Sequence, residues 1–315
     1  MAVLPMGLAM SIDASINTQL FTIRDYIRYG ASLFRRQQLY FGHGTDNAWD
    51  EAVALVLHAL GLPAHSGPEV LDARLLEDEK QAVLAVFERR CDHVPAPYIT
   101  GEAWFAGLSF YVDERVLIPR SPIAELISQQ FSPWLTSAPA RILDMCTGSG
   151  CIGIACALTF PTAEVVLADI APEALAVAEI NIEAYDLADR VQCVLSDAFD
   201  AVEGTFDLII ANPPYVGADD VAALPREFLR EPILGLASGD DGLDLTRRLL
   251  RAAADYLNES GCLIVEVGNS ARHLEQAFPE VAFNWLDFEH GGGGVFVLYR
   301  EELVACARYF DGRPL

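Results

Sequence analysis

Of the chain's 21 basic residues only one, Lys80, is a lysine, and 45 acids outnumber them to leave a net charge of −24. That balance argues against tight binding to a phosphate backbone, which needs clustered cations. It favours basic partners instead. C-x-x-C pairs are also missing. The seven cysteines are odd in number, and Cys146, Cys151 and Cys156 recur every five residues, which is not a zinc-ligand spacing. They read as small buried thiols in a reducing compartment, so a cytoplasmic location and no metal are expected. No apolar run is long enough to span a membrane. The first ten residues carry no basic side chain, which argues against a secretory signal. Residues 1–17 are expected to be disordered.

What is present points to a folded chain. Hydrophobic residues make up 52% of the 315, and charged residues 21%, a composition that fills a core. Residues 18–100 read as a helical N-terminal domain. Phe21, Ile23, Tyr26, Ile27 and Phe34 define one amphipathic face, and a more buried helix from Trp49 to Leu60 is stopped by Gly61 and Pro63. His43, in the glycine-rich loop between them, reads as a hydrogen-bonding loop residue. Residues 101–120 form a predicted β-hairpin linker, with Trp104, Phe105, Leu108, Phe110 and Tyr111 flanking Gly107.

Residues 121–315 read as an α/β catalytic domain. Strands are predicted at 141–145, 164–169, 191–196, 206–211, 261–267, 281–288 and 294–299. Helices are predicted at 151–159, 172–185, 243–257 and 270–278. The alternation implies a mostly parallel sheet covered on both faces. Only the glycine-rich stretch from His290 to Gly293 separates the last two strands, so they should pair antiparallel.

Two stretches carry the chemistry. The strand at 206–211 runs into Asn212-Pro213-Pro214-Tyr215. Two prolines cannot continue a central strand, so the backbone stops and stiffens there. An Asn side-chain oxygen and the Pro213 carbonyl can accept both hydrogens of a planar NH2 group, and the Tyr215 ring can stack on its plane. The second stretch, Leu143-Asp144-Met145-Cys146-Thr147-Gly148-Ser149-Gly150, leaves one strand and enters a helix, where open α/β sheets bind ligands. Asp144 can accept from an ammonium or hydroxyl, Asp169 can hold both hydroxyls of a ribose, and Asp197 lies where an adenine amino group would sit. The run from Gly148 to Gly153 also satisfies G-x-G-x-x-G, which keeps a dinucleotide dehydrogenase open as an alternative. Against it, Asp144 would set an anion beside a pyrophosphate, and Asn-Pro-Pro-Tyr has no evident role in hydride transfer.

These residues resemble the class I S-adenosylmethionine-dependent methyltransferases that modify an NH2 group. Val116-Leu117-Ile118-Pro119-Arg120, the helical N-terminal region, Glu231-Pro232 and Leu236 to Gly242 narrow the resemblance to the HemK-like protein-glutamine methyltransferases. One branch of that family, acting on peptide-release factors, has Pro-Glu-Thr after the Pro-Arg and glycine at the position of Cys146. This chain has Ser121-Pro122-Ile123 and Cys146. With Gly42 to Asn47, those departures resemble the PrmB-type branch, which methylates a glutamine of ribosomal protein L-three. The resemblance implies a Rossmann-like seven-stranded sheet with antiparallel final strands. It implies S-adenosyl-L-methionine held by Asp144, Cys146, Thr147, Gly148, Gly150, Asp169, Ile170, Asp197, Ala198 and Asn212. Asn212, Pro213 and Tyr215 would be catalytic. The roles of Arg120 and Glu125 stay open, an ion pair at the domain junction being preferred for Arg120.

Three rival activities remain: release-factor glutamine methylation, adenine-N6 methylation of DNA or RNA, and non-catalytic binding of a ribosomal protein. Adenine offers the same planar NH2, but base flipping also needs phosphate contacts, for which this chain has few cations. Between Gly217 and Asp244 the acids Asp219, Asp220, Glu227, Glu231, Asp240, Asp241 and Asp244 face only Arg226 and Arg230. A loop of that sign is expected to draw in a basic ribosomal protein segment and to repel DNA.

Overall fold

A computed structural model of the chain describes Ile16 and residues 18–311. The expectation for residues 1–17 thus falls outside the described residues, Ile16 excepted. The chain divides into two units, one ending at Gly101 but also taking Pro225–Arg230, the other comprising Glu102–Leu224 and Glu231–Leu315.

The first unit is helical, with α1 (Ile23–Arg36), α2 (Ala48–Ala59), α3 (Glu77–Cys91) and α4 (Ala96–Thr100). Local chemistry sets its helix starts. Thr22 and Asp25 exchange hydrogen bonds in a capping box at α1, and the Asn47 side chain accepts from Trp49 and Asp50 at α2. Tyr26, Ile27 and Phe34 pack with Leu55, Val56, Val83 and Phe87 in one core. His43 is buried and lies 4.5 Å, ring to ring, from Phe228. A buried ion cluster holds the Pro225–Arg230 segment. Arg90 is 1% exposed; it donates to Glu51 at 2.6 Å, to Glu227 at 3.1 Å and to the Tyr40 carbonyl at 2.7 Å. Glu227 also accepts from the Tyr40 amide and meets His93 Nδ1 at 2.9 Å.

The second unit opens with the hairpin β1 (Glu102–Phe105) and β2 (Leu108–Tyr111), then α5 (Ile123–Ser128). The α/β region follows as β3 (Arg141–Met145), α6 (Cys151–Thr159), β4 (Glu164–Asp169), α7 (Pro172–Ala184), β5 (Val191–Leu195) and β6 (Phe206–Ala211). It continues through α8 (Ala218–Val221), α9 (Asp244–Tyr256), β7 (Leu257–Glu266), α10 (Ala271–Ala277), β8 (Asn284–Trp285), β9 (Val295–Tyr299) and α11 (Arg300–Phe310). Seven strands form one sheet in the order β5-β4-β3-β6-β7-β9-β8. The first five are parallel, and β9 runs antiparallel to both β7 and β8. Alternate strand residues face opposite layers. Ile142, Leu208, Ile210 and Ile264 pack with residues of α5, α6 and α7. Leu143, Met145, Ile209 and Val265 pack with α9, α10 and α11.

Besides the short helix α8, which the sequence did not announce, and a β7 that begins at Leu257 and not at 261, two elements differ from the sequence expectation. The strand predicted at 281–288 contracts to two residues of the edge strand β8, where Phe283 and Trp285 meet Phe296 of β9 edge-to-face, and short edge strands limit unwanted pairing. Helix α11 was not anticipated. It buries only Leu303 and Phe310, too sparse an apolar stripe to announce a helix.

Candidate active site

Strand order reverses between β3 and β6, which are neighbours with their chains leaving in opposite directions across the sheet. Open parallel sheets bind ligands at the carboxyl ends of strands flanking such a point. A cavity of about 340 Å³ lies there, and its wall includes Cys146 after β3, Asp169 at the end of β4, Ser196 and Asp197 after β5, and Asn212 after β6. Gly148, Ile170, Ala198 and Pro214 also line it, with Leu117, Leu234 and Arg248. Cys146 and Ala198 hold left-handed backbone, φ +60° and +51°. Such conformations cost energy in residues other than glycine and concentrate at functional sites.

Several sequence-nominated residues stand behind this wall. Asp144 is fully buried on the α6 side of β3. Its Oδ2 accepts from the Thr147 hydroxyl at 2.6 Å and from the Gly153 amide at 2.9 Å. Asp144 and Thr147 thus brace the loop from beneath. Gly150 starts α6 with φ +81°. A Cβ on Gly153 would fall 2.1 Å from Leu167 Cδ2 and 3.0 Å from Asp144 Cβ. The glycine spacing therefore serves close helix–strand approach as well as the loop turn.

Burial pushes the Asp144 carboxyl up from 3.8 to about 7; the Thr147 and Gly153 hydrogen bonds oppose the shift, and the charge of Asp169 adds to it. A carboxyl with a raised folded pKa holds its proton more tightly when folded. Its contribution to stability is complete below about pH 4 and disappears as pH rises through about 7. Asp144→Asn should flatten that part of the pH dependence, as followed by urea unfolding of the free protein at a series of pH values. An unchanged profile would mean that other groups set it.

Asp169 accepts from the Gly148 amide through Oδ2 and from the Ala171 amide through Oδ1, both at 2.9 Å. Burial raises its pKa and these amides oppose the shift. A carboxylate has roughly four acceptor positions, so two remain for a ligand. Asp197 Oδ1 receives a 2.7 Å bond from Arg248, a partner that the sequence reading did not find.

Among the described residues, three buried side-chain oxygens lack a hydrogen-bond partner: Asp144 Oδ1, Asn212 Oδ1 and Thr246 Oγ1. A buried acceptor without a donor is uncommon and costly. Asn212 combines that state with a place on the cavity wall. Pro213 is buried beside it. The backbone of Tyr215 is held from below, its carbonyl accepting from Ser270 Oγ at 2.8 Å. Its phenol donates to Glu266 at 3.1 Å. Burial, and then the charge of Glu266, push the phenol pKa well above its ordinary value. The hydroxyl therefore stays protonated and does not serve as a base.

The open residues find partners within the same unit. Arg120 pairs with buried Glu231 at 2.8 Å, and Glu231 also accepts from the Ile118 amide. Glu125 accepts from the Glu289 and His290 amides, fixing the glycine-rich turn. Glu227 and Glu231 are thus buried structural acids, and Asp241 is paired with Arg247. Of the seven loop acids only Asp219, Asp220, Asp240 and Asp244 are exposed. The expected acidic surface is smaller than the sequence count.

Residues 125–289 match the family model described as a methyltransferase small domain. The ribosomal protein uL3 glutamine methyltransferase of Neisseria gonorrhoeae is 51% identical over 289 residues, covering 91% of this chain and 97% of that protein. A protein of the same description from Francisella tularensis is 48% identical over 304 residues, covering 94% of this chain and 97% of its own. That from Neisseria meningitidis is 50% identical, with 91% and 95% covered.

Proposed function

The chain belongs to the ribosomal protein uL3 glutamine methyltransferase family, and from that premise we propose that it methylates a glutamine side-chain nitrogen of a large-subunit ribosomal protein, using S-adenosyl-L-methionine. The single observation that carries the reading at the level of chemistry is the unpartnered Asn212 Oδ1 on the cavity wall.

The cavity suits an adenosine-bearing ligand. Asp169 ends β4 with acceptor capacity to spare, and Asp197 lies just past the end of the next strand. Cys146, Gly148, Ile170 and Ala198 supply wall and backbone, while Asp144, Thr147 and Gly150 keep the loop in shape. When bound, S-adenosylmethionine would supply an electrophilic sulfonium methyl, with the sulfur as leaving group keeping the electron pair of the broken S–C bond and the displaced amide proton passing to solvent.

The protein's task is positioning, because an amide lone pair is delocalised into its carbonyl and is a weak nucleophile. Asn212 Oδ1 and the Pro213 carbonyl accept the two amide hydrogens, and the Tyr215 ring lies on the amide plane. Positive charge grows on the nitrogen as the methyl arrives, and oxygens held by a stiffened backbone stabilise it without reorganising. The proton leaves late, and Tyr215, held as a phenol, does not take it.

Labelled S-adenosylmethionine offered with unmethylated large-subunit ribosomal proteins and adenine-rich DNA tests the substrate class. Label should enter protein alone; label in DNA overturns the reading. The four exposed loop acids should still steer a basic substrate. The association rate is therefore expected to fall as ionic strength rises past about 0.1 M, where the Debye length is about 10 Å. A rate independent of salt would remove the acids from recognition.

A further inference from the structure

Glu266 is the last residue of β7 and is 4% exposed. Each of its carboxylate oxygens receives a hydroxyl, from Tyr215 to Oε1 at 3.1 Å and from Ser121 to Oε2 at 2.5 Å. Ser121 Oγ in turn accepts from the Ile123 amide, so the serine is aimed by the start of α5. The Tyr215 ring also rests on bare backbone at Gly268, where an added Cβ would fall 2.6 Å from ring Cε2. The ring is thus held on one side by Gly268 and at its tip by Glu266.

We propose that Glu266 is a positioning residue for methyl transfer, one that acts through the Tyr215 hydroxyl. The role rests on the reading above, in which the Tyr215 ring lies on the substrate amide. The Gly268 contact limits rotation of the ring and the bond at its oxygen sets the ring's position, the kind of fixed geometry an in-line attack needs. Burial raises the Glu266 pKa, while the Ser121 and Tyr215 hydroxyls and the charge of Arg120 oppose that shift; a carboxyl that accepts a hydroxyl at each oxygen leaves the phenol electron-rich, in a buried setting where such bonds are strong. An electron-rich ring face attracts cationic character, and the amide nitrogen acquires cationic character only as the methyl arrives. The interaction is therefore stronger in the transition state than in the ground state, which is what lowers a barrier.

Ser121 belongs to the same device. It follows Arg120, which anchors the strand-to-helix strap on Glu231. Adjacent residues of one strap thus tie down two buried carboxylates, Glu231 on the segment carrying the cavity residues Pro232 and Leu234, and Glu266 behind Tyr215. A buried carboxylate is costly unless well bonded, and at this position it does something that a buried apolar residue could not.

The test compares Glu266→Gln, Tyr215→Phe, the double variant and Ser121→Ala with the intact protein. Single-turnover methyl transfer to the ribosomal protein substrate is measured at saturating S-adenosylmethionine, with cofactor affinity by calorimetry and folding by thermal melting. Glu266→Gln should slow transfer by about tenfold, as loss of a charge-assisted hydrogen bond does, leaving cofactor affinity and substrate KM unmoved. The double variant should be no slower than the slower single variant, since both act through one hydroxyl. Ser121→Ala should slow transfer less, and it carries the test should Glu266→Gln melt below the assay temperature. Wild-type rates in the folded variants, losses that multiply in the double variant, or a loss confined to cofactor affinity would each overturn the proposal. Asn212→Ala, run alongside, separates the two levels. If it slows transfer while Glu266→Gln does not, only the positioning role fails. If it leaves transfer unchanged, the amide-holding reading fails instead.

Discussion

Asn212→Ala is expected to slow single-turnover methyl transfer by roughly a hundredfold or more, the usual loss when a preorganised polar group at a reacting centre is removed. The expectation follows from the state of its Oδ1, buried on the cavity wall with no donor. An acceptor kept in that state has already borne the cost of desolvation, and an incoming N–H offsets it. The substitution removes one of two acceptors for the amide hydrogens, so the nitrogen loses both its orientation and part of the stabilisation of its growing charge. Cofactor affinity, measured by calorimetry, should change little, because Asp169, Asp197 and the loop after β3 are untouched. A loss of only a few fold in rate would reduce Asn212 to a strand terminator. Equal losses in rate and in cofactor affinity would place it in the cofactor site alone.

Asp169→Ala should do the converse. Cofactor affinity should fall by about 1.5–3 kcal/mol, the worth of hydrogen bonds to a charged group, and transfer at saturating cofactor should recover most of its rate. The carboxylate already accepts the Gly148 and Ala171 amides, so the substitution also frees the two loops that carry Gly148 and Ile170. Asp169→Asn keeps one acceptor oxygen and should lose less. Calorimetric titration of both variants with S-adenosylmethionine checks the pair. Unchanged affinity in a folded Asp169→Ala protein would leave Asp169 a loop brace only.

Candidate residues placed where a strand ends were readable before the structure. Asn212 and Asp169 follow short apolar runs, and the parallel sheet then fixes which end faces the ligand. The reversal of strand order between β3 and β6 brings the two stretches to one cavity. What escaped the sequence were polar pairs formed across long separations. Glu266 lies 51 residues from Tyr215 and 145 from Ser121, and Arg90 lies 137 from Glu227. Periodicity reports which face of an element is apolar, and it is silent on which two polar side chains meet. The same limit inflated the acidic loop, where Glu227 and Glu231 counted as surface charge although buried Arg90 and the half-buried Arg120 neutralise them. The Asp144 position shows a different gap. A strand-end acid suggested a direct ligand contact, yet the close approach of α6 at Gly153 leaves that carboxyl beneath the loop, bracing it.

Delivery of a methyl group to a glutamine amide nitrogen leaves a product that tandem mass spectrometry identifies. Unmethylated large-subunit ribosomal proteins are incubated with the enzyme and isotope-labelled S-adenosylmethionine, and the modified peptide is fragmented to locate the label. One labelled glutamine is expected, with the methyl on its side-chain nitrogen, and no labelling once that glutamine is replaced by alanine. Label on a lysine, arginine or backbone amine, or label that persists after the glutamine is replaced, would contradict it.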